Sequence, residues 1–214
     1  MPIMIGCRAL RTRFRKSAKQ PLPPNVRHIN IDNHDVAEVT FIDEQTKKVI
    51  ERAEMKAKDA MKKVGPGWGG QAGGIIRRNI VGFLGQVAFS YYLFGDFERA
   101  LEHIAPEFRP DTGDEQYKDY VIDVKTNGRP DGDLMMIPES RFRKHAYDIY
   151  VGARLKSENP HKIEIWGYVT RKELENIEPE DFGYGMTIAK PLKTLHPITE
   201  LNDLPPKNRS RTSK

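Results

Sequence analysis

The stretch DTGDEQYKDYVIDVKTNGRPDGD, residues 111–133, decides how this chain is read. Its centre, YVIDVKT at 120–126, is dense in β-branched and aromatic residues and predicts a strand. Successive side chains of a strand point to opposite faces, so Val121, Asp123 and Lys125 share one face while Ile122 and Val124 share the other. One face is apolar and the other ionic. A carboxylate and an ammonium side by side on such a strand lose solvation as it is buried, and a divalent cation held by several carboxylates compensates for that loss. Magnesium takes oxygen ligands and lowers the pKa of a bound water, while a neighbouring lysine orients the attacking water or stabilises charge developing on phosphate. The combination points to phosphodiester hydrolysis. The acid-x-lysine string is not specific by itself, since Glu54 and Lys56 repeat it within a helical stretch. The strand and the acids upstream of Asp123 set the two apart.

Outward from this strand, residues 77–94, RRNIVGFLGQVAFSYYLF, carry apolar groups around most of a helical surface and predict a buried helix. Gly82 and Gly85 would let another backbone approach, and Gln86 is the odd polar residue near the buried face. Further strands are predicted at 146–155 and 162–170, and Thr170 with Glu173 has the spacing of a capping box opening a short helix. Upstream, 35–41 reads as a strand through Val36, Val39 and Phe41. Residues 44–63 read as a surface helix with Val49, Ala53 and Ala60 on a narrow stripe and Asp43 as its cap. The glycine-rich GPGWGGQAGG at 65–74 reads as a loop and carries no Walker pattern. Strands behind a buried helix imply an α/β core.

The 214 residues suit one domain with extensions: a basic, proline-rich arm at 1–34, a folded domain at 35–176, and a wrapping segment with a basic tail at 177–214. A net charge of +5 and a pI near 9.2 suit a polyanionic partner. Arg8, Arg11, Arg13, Arg15, Lys16 and Lys19 at one end, and Lys207, Arg209, Arg211 and Lys214 at the other, read equally as phosphate-binding arms or as solvated tails. The single cysteine, Cys7, excludes an internal disulfide and a Cys-rich zinc site, and the six histidines are too scattered for a zinc motif. No apolar run reaches the about 20 residues that cross a bilayer, and the first residues do not have the order of a secretory signal, so the expected location is cytoplasmic, cellular or viral, with no membrane partner.

The helix with GFLGQVAF, the acidic turn, then YVIDVKTN, DIYVGARL and KIEIWGYVT together resemble the PD-(D/E)xK nuclease superfamily over roughly residues 77–170. The resemblance implies a restriction-endonuclease-like core, a mixed β-sheet flanked by helices, and an endonuclease that cleaves DNA with Mg2+, for which Mn2+ would substitute. Carried over residue by residue, Asp123 and Lys125 match the acid-x-lysine pair and Asp114 the first acid, with Asp111 its competitor. Asp114, Asp123, Gln86 and Val124 form the implied metal set. Gln86 departs from the pattern, because the resemblance places a glutamate there and a neutral amide binds magnesium more weakly. The helix common between the core strands is replaced by GRPDGDLMMIPESRFRKHA at 128–146, which reads as a loop, with Asp131 and Asp133 in a turn around Gly132. Arg141, Arg143, Lys144 and His145 read equally as phosphate contacts or as a solvated basic face, and Asp148 as a structural hydrogen-bonding group. A homodimer suits an enzyme that cuts two strands. The alternative reading is a non-catalytic nucleic-acid-binding protein on the same scaffold.

Overall fold

The computed structural model describes residues 21–64, 72–102, 114–159, 161–183 and 185–207. Strands β1 (Val26–Ile31) and β2 (His34–Thr40) form a hairpin across Asp32 and Asn33, whose φ values of 50° and 65° are those of a tight two-residue turn. β1 falls inside the stretch read from sequence as an arm. The missed signal was Val26, Ile29 and Ile31 followed by an Asp-Asn turn, masked by the histidine and arginine between them. Helix α1 (Asp43–Val64) buries Val49 and Ala53 completely. Asp43 lies within its first turn, and the Gln45 side chain, not Asp43, accepts the Ile42 N–H at 3.2 Å.

Helix α2 (Ala72–Phe94) starts inside the glycine-rich stretch expected to be loop, and residues 65–71 of that stretch lie outside the described residues. Its apolar residues are buried around most of its circumference: Phe83, Leu84, Val87, Ala88, Phe89, Tyr91 and Tyr92 are all in the core. Helix α3 (Phe97–Glu102) follows, packing Phe97 edge-on against Phe41 and Tyr91. Strands β3 (Glu115–Tyr117) and β4 (Tyr120–Asn127) turn through Lys118 and Asp119, again at left-handed φ. The 128–146 stretch is not plain loop, because it contains β5 (Leu134–Pro138) and α4 (Glu139–Lys144). Met135 and Ile137 alternate into the core and give β5 its buried face. Strands β6 (Ile149–Glu158) and β7 (His161–Thr170) lead to α5 (Arg171–Leu174), opened by the expected capping box between Thr170 and Glu173. The remaining strands are β8 (Glu180–Asp181), β9 (Met186–Pro191) and β10 (His196–Pro197).

The architecture is mixed α/β. The main sheet runs β1-β2-β7-β6-β4-β3, with β10 also on β7, and among the described residues only β4 and β6 pair in parallel. A second sheet runs β5-β9-β8. Each face of the main sheet has its own core. Ile122, Val124, Val151, Ala153, Ile163 and Ile165 meet α2 on one face, while Tyr150, Trp166 and Val169 meet Met135, Ile137, Ile188, Leu192 and Leu195 on the other. The segment after 176 therefore contributes core residues and strands of its own. Gly152 of β6 admits this second layer: a Cβ there would lie 2.5 Å from Leu195 and 2.8 Å from Leu192.

Charged residues also cross the sheet in register on this second face, in the order Arg27, Glu38, Glu164 and Arg154. Arg154 Nε and Nη2 donate to Glu164 Oε2 at 2.8 and 2.6 Å, and Trp166 Nε1 donates to the same oxygen at 3.2 Å. Burial of Glu164 is thereby compensated by direct donors. Among the described residues no helix is long and apolar enough to cross a membrane.

The contact of α2 with β4 is set by Gly85, where a Cβ would lie 1.8 Å from Thr126 Oγ1 and 3.0 Å from Thr126 Cβ; Gly82 has open space. Gly85→Ala is expected to destabilise the protein by about 1–3 kcal/mol through overpacking. Gly82→Ala is expected to be neutral or to stabilise by up to about 1 kcal/mol. Urea unfolding of both variants checks this, and equal midpoints would contradict the assigned contact.

Candidate active site at the edge of strand β4

Strand β4 carries the site because its two faces meet different surroundings. Ile122 and Val124 point into the α2 core, whereas Val121, Asp123 and Lys125 point to the opposite face, beside Tyr150, the register partner of Asp123 on β6. Asp123 is 4% exposed, and Lys125 Nζ stands 2.5 Å from its Oδ2. The alternation expected from the sequence holds, and it brings carboxylate and ammonium into direct contact. A buried acid and a half-buried lysine two residues apart on one strand neutralise each other's desolvation.

Asp114 reaches the same strand from its edge. Its backbone N–H donates to the Ile122 carbonyl at 2.8 Å, although Ile122 is already the register partner of Glu115. Two successive residues then address one, as at a β-bulge, and both carboxylates turn toward α2. Asp114 Oδ2 accepts the Val124 N–H at 2.7 Å, so the side chain occupies the position at which a longer β3 would have continued the ladder. Asp114 Oδ1 accepts from Gln86 Nε2 at 2.6 Å. One helical turn later, Ser90 Oγ donates to Glu115 Oε2 at 2.9 Å, and the Gln116 N–H donates to the other oxygen of Glu115. Gln86 and Ser90 share a helix face by their i, i+4 spacing, and that face holds both acids.

The structure thus gathers Gln86, Asp114 and Val124 into one hydrogen-bonded group and Asp123 with Lys125 into a second, adjoining through β4. Asp111 lies outside the described residues. Glu115 and Ser90 were not singled out from sequence. The signal was available in the four-residue spacing of Gln86 and Ser90 along a buried helix and in the pair of acids at 114 and 115. Asp148 has the structural part expected of it: it accepts the Val121 N–H at 2.9 Å and pairs with Lys207. Asp131 and Asp133 flank the turn in which the Gly132 N–H donates to the Arg129 carbonyl.

The available donors are oxygens: the carboxylates of Asp114 and Asp123, the Gln86 amide oxygen and the Val124 carbonyl. Because a strand residue directs its N–H and C=O to the same side, the Val124 carbonyl faces the edge where Asp114 sits. Among the described residues no three His, Cys, Asp or Glu side chains gather as a metal cage. A divalent ion at this edge would therefore be held by one or two carboxylates, neutral oxygens and water. Hard-oxygen donors with few protein ligands fit magnesium better than they fit zinc.

Removing the Asp114 carboxylate should expose the Val124 amide. Hydrogen exchange at Val124 is expected to accelerate about tenfold or more in Asp114→Ala, matching a charge-assisted hydrogen bond of roughly 1.5–3 kcal/mol, with a smaller acceleration in Ser90→Ala. Unchanged protection at Val124 in both would contradict the ladder role of Asp114.

No family model or curated protein matches the sequence, and no solved structure matches the fold.

Proposed function

We propose that the chain is a metal-dependent nuclease that hydrolyses DNA phosphodiester bonds as an endonuclease in the cytoplasm, on a restriction-endonuclease-like core. The observation that carries this reading is the buried Asp123–Lys125 pair on β4, set beside a second acid, Asp114, that is fixed on the backbone of the intervening Val124. The order of a buried helix, the β3–β4 hairpin and a crossover to the parallel strand β6 accords with the resemblance in sequence.

Asp114 and Gln86 from the α2 side, Asp123 from the opposite face and the Val124 carbonyl at the strand edge between them would hold Mg2+ or Mn2+. Such an ion supplies a coordinated water of lowered pKa and neutralises phosphate charge. Lys125 stands against Asp123, and its part is electrostatic: it donates to the attacking water or to a phosphoryl oxygen as negative charge develops there. Asp123 holds that ammonium in place. Gln86 and the Val124 N–H fix the two oxygens of Asp114 from different sides, which limits the directions in which its remaining lone pairs point.

Gln86 also supports a second reading, a nucleic-acid-binding protein without cleavage, since an amide that donates to Asp114 adds no negative charge to a metal site. Nicking of supercoiled plasmid with added magnesium or manganese separates the two. Cleavage by the wild type, reduced about 10²-fold or more in Asp123→Asn and Lys125→Ala, is the expected result. Equal inertness of all three preparations on duplex, single-stranded and branched DNA, with binding retained, would replace the nuclease reading by the binding one.

A further inference from the structure

Helices α4 and α5 are far apart in sequence and abut in space. Arg171, the first residue of α5, donates through Nη1 to the His145 carbonyl at 2.7 Å, at the end of α4. Its guanidinium lies 4.2 Å from the centre of the Phe142 ring, and its backbone N–H donates to the Asp148 carbonyl. Arg171 thereby ties the start of α5 to the end of α4.

The charges on this joint surface do not cancel. Glu139 is engaged by Arg143 at 2.6 Å, and Glu175 by Arg171 at 3.2 Å. Glu173 is engaged by Thr170 and by His196 at 2.7 Å. Burial works against ionisation of Glu173, and the hydrogen bonds from Thr170 and His196 outweigh it, holding the carboxyl below its usual range. Each acid of the two helices is thus occupied, and the exposed Arg141, Lys144 and Lys172 form a local excess of positive charge. Arg141 and Lys144 are three residues apart and share a face of α4.

The patch also has a defined place relative to the candidate site. Phe142 packs on Tyr150 with ring centres 5.7 Å apart, and Tyr147 stands between that ring and His145, stacked on His145 at 5.4 Å. Tyr150 is the register partner of Asp123. The surplus cations therefore lie on the side of the main sheet that carries Asp123 and Lys125, the side away from α2.

We propose that Arg141, Lys144 and Lys172 form a docking surface for the phosphate backbone of duplex DNA, which orients the duplex toward the Asp123 face. This inference rests on the nuclease reading for the identity of its partner, but its test does not depend on cleavage. Among the described residues Arg141, Lys144 and Lys172 have no ion pair to break before meeting phosphates, and each contact releases counterions.

The experiment is fluorescence anisotropy of the full chain with a labelled duplex in EDTA across a salt series. The triple variant Arg141→Gln/Lys144→Gln/Lys172→Gln is compared with a charge-matched control, Lys47→Gln/Lys58→Gln/Lys193→Gln. The expected result is that the slope of log affinity against log salt falls by about 2–3 in the first variant only, at about 0.9 per lost phosphate contact. Equal slopes for the two triple variants would overturn the proposal, as would no binding of duplex by the wild type. Binding to vesicles rich in phosphatidylserine in preference to duplex would overturn it in favour of a membrane surface. Plasmid nicking by the same variants at saturating protein reports on the catalytic site separately. Intact nicking by the wild type with equal slopes removes the surface and keeps the site, and a lowered slope with no nicking by the wild type does the reverse.

Discussion

The close approach of α2 to β4 at Gly85 and Thr126 organises the rest of the molecule. With no side chain on the helix at that point, Thr126 rises into the space a Cβ would fill. The residue after Gly85 is Gln86, which is thereby within reach of Asp114, and the next turn brings Ser90 to Glu115. A helix held one side chain's thickness further out would leave both carboxylates to water. The apolar face of α2 supplies the force that closes this gap, and the absence of a single methyl group permits it.

The two candidate groups stabilise themselves by different means. Asp123 is balanced by a formal positive charge on its own strand, a pairing that follows from the pleat. Asp114 is held by neutral N–H groups from two elements, a helix side chain and a strand backbone. The first arrangement joins two residues of one strand, whereas the second depends on α2, β3 and β4 being correctly docked. The sheet face opposite α2 repeats the first strategy, with Arg154 and Glu164 paired across strands and roofed by Trp166.

Much of this was legible in the sequence, and the exceptions have physical reasons. Val121, Asp123 and Lys125 fall on one face because alternation is intrinsic to a strand, and the buried helix, the strand at 162–170, the one expected at 146–155 and observed at Ile149–Glu158, and the Thr170 capping box follow from local patterns of the same kind. β1 was hidden because only Val26, Ile29 and Ile31 mark it, and its pairing is with a neighbour across a two-residue turn. β5 was hidden because its partner β9 lies in a segment with no periodicity of its own, and a strand of five residues acquires its identity from that distant pairing. Glu115 shares the α2 side with Ile122 through its pairing, and Asp114 joins it there because the doubled contact at Ile122 breaks the alternation, which no local pattern announces.

The pairing of β5 with β9 also governs the order in which the molecule can be built. Met135 aligns with Lys190 and Ile137 with Ile188, contacts separated by about fifty positions along the chain, so loop closure delays them relative to the β3–β4 and β6–β7 hairpins. Ile188, Leu192 and Leu195 cover Tyr150 and Gly152 on one face, and Ile198 and Leu201 join the α2 side of the other, so each face of the main sheet takes core residues from the last described segment. Both faces that flank the candidate site are therefore closed by one late segment, laid over a sheet whose hairpins have local register.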